Sequence, residues 1–356
     1  IVFGDWSSDV CSSDLGLLTI LLLYWVGARL FDRGTGLAAA VLLATNPIHI
    51  QMTRWGHEAS LTPLLTLLPL AGLIWAGLLV ADGETPPPLR RREESGSGAS
   101  MLNPPPAPSL RGRAGLRALF AGLLAGVCCY GYPAVRLFVP VFLLAVVAVT
   151  WRGWSPLLHD RRGRLAILAW AVGLAVTFGP LVYMHIAHPH EIARRGDVTW
   201  TWLDDDPPAA RVAAVLGRYV SHFSPDVLFW RGDEYDRVWT QGTGFMPRYT
   251  LPLLIAGAAV CGARLGRSRG AGVLLAGVLL YPVADCLSWH VSLQALRSSA
   301  GLWALVLLAA LGISGTVSWL RRQRLTAYAL VGGVALFALA TMEGTQIGRA
   351  SCRERV

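Results

Sequence analysis

The chain has 356 residues, of which 54% are hydrophobic and only 15% charged, against about 25% charged in a typical soluble domain. With a mean hydropathy of +0.48, this excludes a soluble globular enzyme, a disordered tail and a small disulfide scaffold, because so much apolar surface needs lipid around it. All 31 basic residues are arginine and the net charge is +9; they lie in loops between apolar runs, which signals membrane orientation rather than a nucleic-acid partner.

The two ends read differently from the rest. Residues 5–15, DWSSDVCSSDL, and 347–356, IGRASCRERV, look like translations of short-read sequencing adapters. Residues 1–15 and 347–356 are therefore expected to be artefacts and stand outside the fold reasoning. The native part is expected over 16–346, as a fragment of a longer protein. Cys128, Cys129, Cys261 and Cys286 then remain, all in apolar runs and without CxxC spacing. They read as small buried hydrophobes, not as a metal site or a disulfide framework.

The fold class expected is all-α, a polytopic bundle of membrane helices. Apolar segments run over 16–31, 35–49, 59–81, 116–132, 136–151, 165–187, 249–263, 271–289, 298–319 and 326–343. Most are apolar all round, as membrane helices are. Alternate loops hold 18 arginines on one side and 10 on the other. The positive-inside rule makes the richer side cytoplasmic, and ten spans alternate without conflict. The first visible span then runs inward, so an odd number of spans is expected before it. Residues 82–114, with PPP twice and GSGAS, read as a disordered cytoplasmic linker. Residues 188–248 read as a long extracytoplasmic loop. Trp55, Trp151, Trp154, Trp289 and Trp319 fall near span ends, where an interfacial aromatic belt accounts for them.

This orientation puts the unusual polar residues on the outer side. The first outer loop, HIQMTRWGHEASL, carries Arg54, His57 and Glu58. They can serve as a charged helix start, with Glu58 favouring the N-terminal dipole, or face a lipid phosphate or sugar. The second outer turn, CCYGYPAVRLFVP, holds Tyr132 and Arg136 at the membrane surface. A guanidinium there can snorkel or grip a phosphate through its two-pronged hydrogen bonding.

The long loop opens HPHEIARRGDV and continues to RYVSHFSPDVLFWRGDEYDRVW. Its aromatic and acidic residues suit carbohydrate, with His188, Asp233 and Glu234 as candidate sugar contacts. His188, His190 and Glu191 are weak as a zinc set, so no metal site is expected. Asp233, Glu234 and Asp236 leave a divalent cation open as a cofactor. In the last outer turn, WHVSLQALRSSAG, His290 and Arg297 lie at one level. Asp285 sits near a span end, where pairing with a neighbouring arginine would account for its charge. No phosphate-binding P-loop, dinucleotide GxGxxG unit, GxSxG elbow or HExxH motif occurs.

Five segments carry a resemblance: GTGLAAAVLLATNPIHIQMTRWGHEASLTPLLTLL, GLLAGVCCYGYPAVRLFVP, HPHEIARRGDV, YVSHFSPDVLFWRGDE and SLQALRSSAGLWALVLLAALG. In order and spacing the chain resembles the GT-C superfamily of membrane glycosyltransferases. More narrowly, it resembles bacterial glycosyltransferase family 39, related to protein O-mannosyltransferases and aminoarabinose transferases. The resemblance implies an extracytoplasmic active site in a bacterial-type inner or plasma membrane. It implies a polyprenyl-phosphate-linked sugar as donor, and a protein, lipid or glycan acceptor. Transfer would be inverting, with a carboxylate as base and arginines on the leaving phosphate.

The family's acidic residue would precede Gly16, so the catalytic residue is unknown here and the fragment itself is expected to be inactive. Asp32 lies on the cytoplasmic side by charge and is not promoted to that role. Lipid-phosphate or substrate contacts fall to Arg54, Glu58, Tyr132, Arg136 and Arg297. The alternative is a non-enzymatic transporter or lipid-glycan flippase, which should place ionisable groups deep in its spans.

Overall fold

In the computed structural model, residues 6–54, 58–79, 113–188, 207–232, 244–287 and 295–325 are described, with scattered positions from 328 to 343. They are helical, with no strand among them. The main helices are α1 (Trp6–Leu30), α2 (Arg33–Ala44), α3 (Pro47–Arg54), α4 (Thr62–Trp75), α5 (Arg113–Cys128) and α6 (Pro133–Val149). They continue with α7 (Trp151–His159), α8 (Arg161–Ala187), α9 (Pro208–Ser221), α10 (Leu251–Arg264), α11 (Arg269–Leu280) and α12 (Leu302–Arg322).

Three helical stretches are long and apolar enough to cross a membrane: Arg161–Ala187, Arg269–Cys286 and Leu296–Arg322. A fourth results if α6 and α7, bent by 78°, are taken as one span. The helices Arg33–Ala44, Thr62–Trp75 and Ala114–Cys128 are apolar but shorter. Helices occupy nine of the ten expected apolar segments, whereas 326–343 falls mostly outside the described residues.

Several boundaries differ from the sequence reading, each for a local reason. The segment 35–49 is not one helix. It stops at Thr45, where Asn46-Pro47 intervenes, and α3 restarts at Pro47, because a residue before proline is steered out of the helical region. Helix α6 starts at Pro133, earlier than expected, since proline at the first helical position loses no hydrogen bond. α11 gives way at Tyr281-Pro282 to the short turn Val283–Cys286. Within 188–248 lies α9, whose Val212, Leu216 and Val220 form an exposed apolar stripe. The linker 82–114 lies outside the described residues apart from its last two.

The centre of the bundle is α12. Every residue from Leu302 to Gly312 is buried, and Trp303 meets Phe142 of α6 edge to face, centroids 5.4 Å apart. Around it pack α2, α10 and α11, with α1 and α4 beyond. Two helix pairs approach through small residues. Gly257 of α10 sits on the Leu308 carbonyl of α12, and Gly312 on the Leu253 carbonyl. Gly122 and Gly126 of α5 sit against Trp170 and Thr177 of α8, and the Thr177 hydroxyl donates to the Leu123 carbonyl at 3.1 Å. In lipid, such close backbone packing substitutes for the hydrophobic drive.

All four described cysteines are free and buried, as the sequence suggests. The aromatic belt needs one correction. Trp151 and Trp319 are exposed, but Trp154 is buried, with its indole N–H donating to the Thr150 hydroxyl at 3.0 Å.

Candidate functional site

The site is at the end of the bundle where α2 stops and α6 begins. Asn46, fully buried, organises it. Its Oδ1 accepts the His49 N–H at 3.2 Å, and its Nδ2 donates to the Phe245 carbonyl at 3.3 Å. The Thr45 hydroxyl pairs with the Tyr249 hydroxyl at 3.0 Å. These contacts tie the far end of the long outer segment to the end of α2, and Met246 N–H then donates to the Leu228 carbonyl at 2.7 Å.

Arg136 lies in the first turn of α6, behind Tyr132 as the residue preceding that helix. The turn from Cys128 to Pro133 is pressed onto α4, with Gly131 against the Leu65 side chain. This fixes the guanidinium near the end of α5, where its charge acts on the Cys129 thiol. The Arg136 Nε is buried and has no hydrogen-bond acceptor.

Arg297 occupies the short helix Ala295–Ser298, which touches the turn Glu58–Leu61. Its Nη1 is likewise buried without an acceptor. The following turn, Ser299–Gly301, packs on both α4 and α6. The backbone therefore gathers the segments carrying Glu58, Tyr132, Arg136 and Arg297 at one end of the bundle. Arg54 closes α3 and Glu58 opens the next turn, but their side chains lie outside the described set.

His188 is exposed at the C-terminal end of α8, a helix packed chiefly on α5 and α7, and it makes no hydrogen bond or ion pair with Arg136 or Arg297 among the described contacts. Asp233 and Glu234 fall outside the described residues, as do Asp236, His190 and Glu191. Among the described residues, no cluster of histidine, cysteine and acidic side chains could hold a metal ion.

Sequence reasoning missed a buried pair. It considered an arginine as the partner of Asp285; Oδ2 of Asp285 lies 3.1 Å from His222 Nε2, with both side chains essentially inaccessible. The pair is close enough for an ionic contact but not aligned as a hydrogen bond at Nε2. His222 Nδ1 faces the Arg218 carbonyl at 2.9 Å, which can only accept, so Nδ1 carries the hydrogen.

Tyr281 packs edge-on against His222, centroids 5.7 Å apart. The available signal was weak: a histidine in YVSHFSPD and an acid near a span end, far apart in sequence.

No family model matches this sequence, and no curated protein matches it. Among solved structures, the chain is similar to the oligosaccharyltransferase of Archaeoglobus fulgidus in its apo form, with a TM-score of 0.50 and 13% identity, over 95% of this chain and 45% of that one. The chain thus spans less than half the length of that protein. At this identity the likeness concerns the helical fold alone, and the comparison does not single out family 39.

Proposed function

We propose that this chain is the membrane domain of a glycosyltransferase that moves a sugar from a polyprenyl-phosphate donor to an acceptor on the extracytoplasmic side of a bacterial-type plasma membrane. The reading takes ten crossings, with the arginine-rich loops inside. One observation carries it: Arg136 Nε and Arg297 Nη1 are buried at the same end of the bundle and lack acceptors. A buried, unsatisfied charged donor is costly, and a phosphate provides charged acceptors for both. The shared fold supports the reading, since its solved neighbour is an oligosaccharyltransferase.

The chemistry follows from such a clamp. The acceptor hydroxyl oxygen attacks the anomeric carbon as its proton passes to a carboxylate base. The bond from that carbon to the phosphate oxygen breaks, and its electron pair leaves with the phosphate. The configuration inverts because attack comes from the side opposite the leaving group. Arg136 and Arg297 stabilise the charge that gathers on the phosphate. Tyr132, Glu58 and Arg54 remain proposed contacts to the phosphate or the substrate. His188, Asp233 and Glu234 remain proposed sugar contacts from the outer segment, with family 39 as the proposed subgroup.

The test uses the chain in lipid nanodiscs. A polyprenyl phosphate should bind at least about tenfold more tightly than the matching polyprenol, a difference of about 1.4 kcal/mol. Arg136→Ala should abolish that preference, and in a transfer assay on the intact enzyme it should sharply reduce use of the lipid-linked donor at normal expression. Full donor turnover by the variant would overturn the assignment. Transport of the lipid-linked sugar without any transfer would favour the flippase reading.

A further inference from the structure

At the opposite end of the bundle, α6 and α7 meet at a bend of 78°. The bend follows from Thr150, which ends α6 and begins the next helix. Its hydroxyl bonds back to the Val146 carbonyl and receives the Trp154 indole N–H. The sequence of α7, WRGWSPLLH, is strongly two-faced. Trp154 is buried beneath it, while Trp151 and Leu158 are exposed. A short amphipathic helix turned sharply out of a span suits the plane of a membrane surface.

Inside the bend lies a small groove of about 40 Å³, lined by Leu78, Leu79, Thr150, Trp154, Leu157 and, across from them, Arg269. Gly153 permits the charge to approach. A side chain at that position would meet the Arg269 guanidinium at 2.8 Å from Cζ. Arg269 is half-buried and makes no hydrogen bond or ion pair. The acids nearby are committed elsewhere: Asp160 caps α8 through Gly163 N–H, and Asp32 caps α2 through Thr35 N–H. Exposed Arg152, Arg161, Arg162 and Arg164 add to the positive field. The groove thus combines an apolar wall with an unpaired cation at a membrane-surface helix.

We propose that this groove binds an acidic glycerophospholipid by its headgroup, with the phosphate on Arg269. The inference requires that this end of the bundle meet a membrane surface. It is independent of the transferase reading, because Arg136 and Arg297 take no part.

The chain, purified in a neutral detergent, is titrated with phosphatidylglycerol or phosphatidylcholine, and bound lipid is counted by native mass spectrometry. Phosphatidylglycerol should bind preferentially. Arg269→Gln should weaken that binding about five-fold, as loss of one surface-lipid charge contact implies. Gly153→Ala should weaken it too, by pushing the flexible guanidinium out of the groove without touching the backbone. Arg264→Gln, on an exposed arginine of the same side, should not lower it comparably. Equal binding of the two lipids, or unchanged binding by both groove variants, overturns the proposal. If inorganic phosphate displaces the lipid at equal concentration, the groove is a free-phosphate site and the lipid assignment fails. Polyprenyl-phosphate binding measured on the same variants should be unchanged, which separates this site from the one at the other end.

Discussion

His222 and Asp285 face each other across 3.1 Å, both sealed from solvent, and join the end of α9 to the turn that follows α11. On the other side of the ring, His222 Nδ1 lies 2.9 Å from the Arg218 carbonyl. Removing one partner leaves the other buried without its counterpart. Asp285→Asn or His222→Phe should each cost about 3–5 kcal/mol. The double variant Asp285→Leu with His222→Phe should lose much less. Melting of the purified protein in detergent reads this directly. If both singles melt with the wild type, the pair does not bind the outer helix to the bundle.

Arg136 and Arg297 should differ from the arginines of the opposite face in what their loss does. Arg297→Ala removes a half-buried guanidinium whose Nη1 has no acceptor, so stability should hold or rise slightly, while binding of polyprenyl phosphate should fall by tenfold or more, about 1.4 kcal/mol. Arg136→Lys keeps the charge but loses the paired N–H donors, so binding should be intermediate. A lysine variant that binds as the alanine variant does would show that fork geometry, not charge, is required. Arg297→Ala with undiminished phosphate binding would remove it from the site.

The α5–α8 contact depends on small residues. Gly126→Leu places a side chain against Thr177, and Gly173→Leu places one against the Leu119 carbonyl. Overpacking of this kind costs about 1–3 kcal/mol or more. Because α8 is otherwise largely exposed to lipid, its displacement should show as protease cleavage around 188–207. Gly262→Leu, with open space around it, should be neutral. Equal protease resistance of the three variants would refute the close packing.

Asp32 should act through structure and not through chemistry. Partial burial pushes its carboxyl pKa up. The Thr35 backbone N–H at 2.9 Å, the Thr35 hydroxyl at 2.8 Å and the Ser314 hydroxyl at 3.3 Å outweigh that and hold it below the ordinary value. A depressed folded pKa means that the stabilisation is complete above the unfolded value and is lost as pH falls through the folded one. Asp32→Ala should therefore lower stability by about 0.5–2 kcal/mol at pH 7 and flatten the acid limb below about pH 4. Sugar transfer per folded molecule should be unaffected. A variant that folds normally and has lost transfer would return Asp32 to the catalytic candidates.

Composition and periodicity determined the class of this protein. So much apolar sequence, with charge held in loops, leaves lipid as the solvent, and in lipid the backbone must satisfy itself within helices. Proline also marked boundaries locally: Pro47 and Pro133 start helices because they need no donor there. The segments bearing Glu58, Arg136 and Arg297 were read as one group because the expected alternation of spans would put them on one side.

What the sequence could not contain was which groups on that side touch. His222 and Asp285 meet only because α9 folds back onto the turn after α11, and Trp154 is buried only because Thr150 bends α7 beneath the bundle. Arg136 and Arg297 are left without acceptors by the packing of α4 and the turn at Ser299–Gly301, and Arg269 reaches its groove because Gly153 lies opposite. Hydropathy is a property of each residue and is written along the chain. A contact between residues distant in sequence is a property of pairs, and only the tertiary structure chooses the pairs.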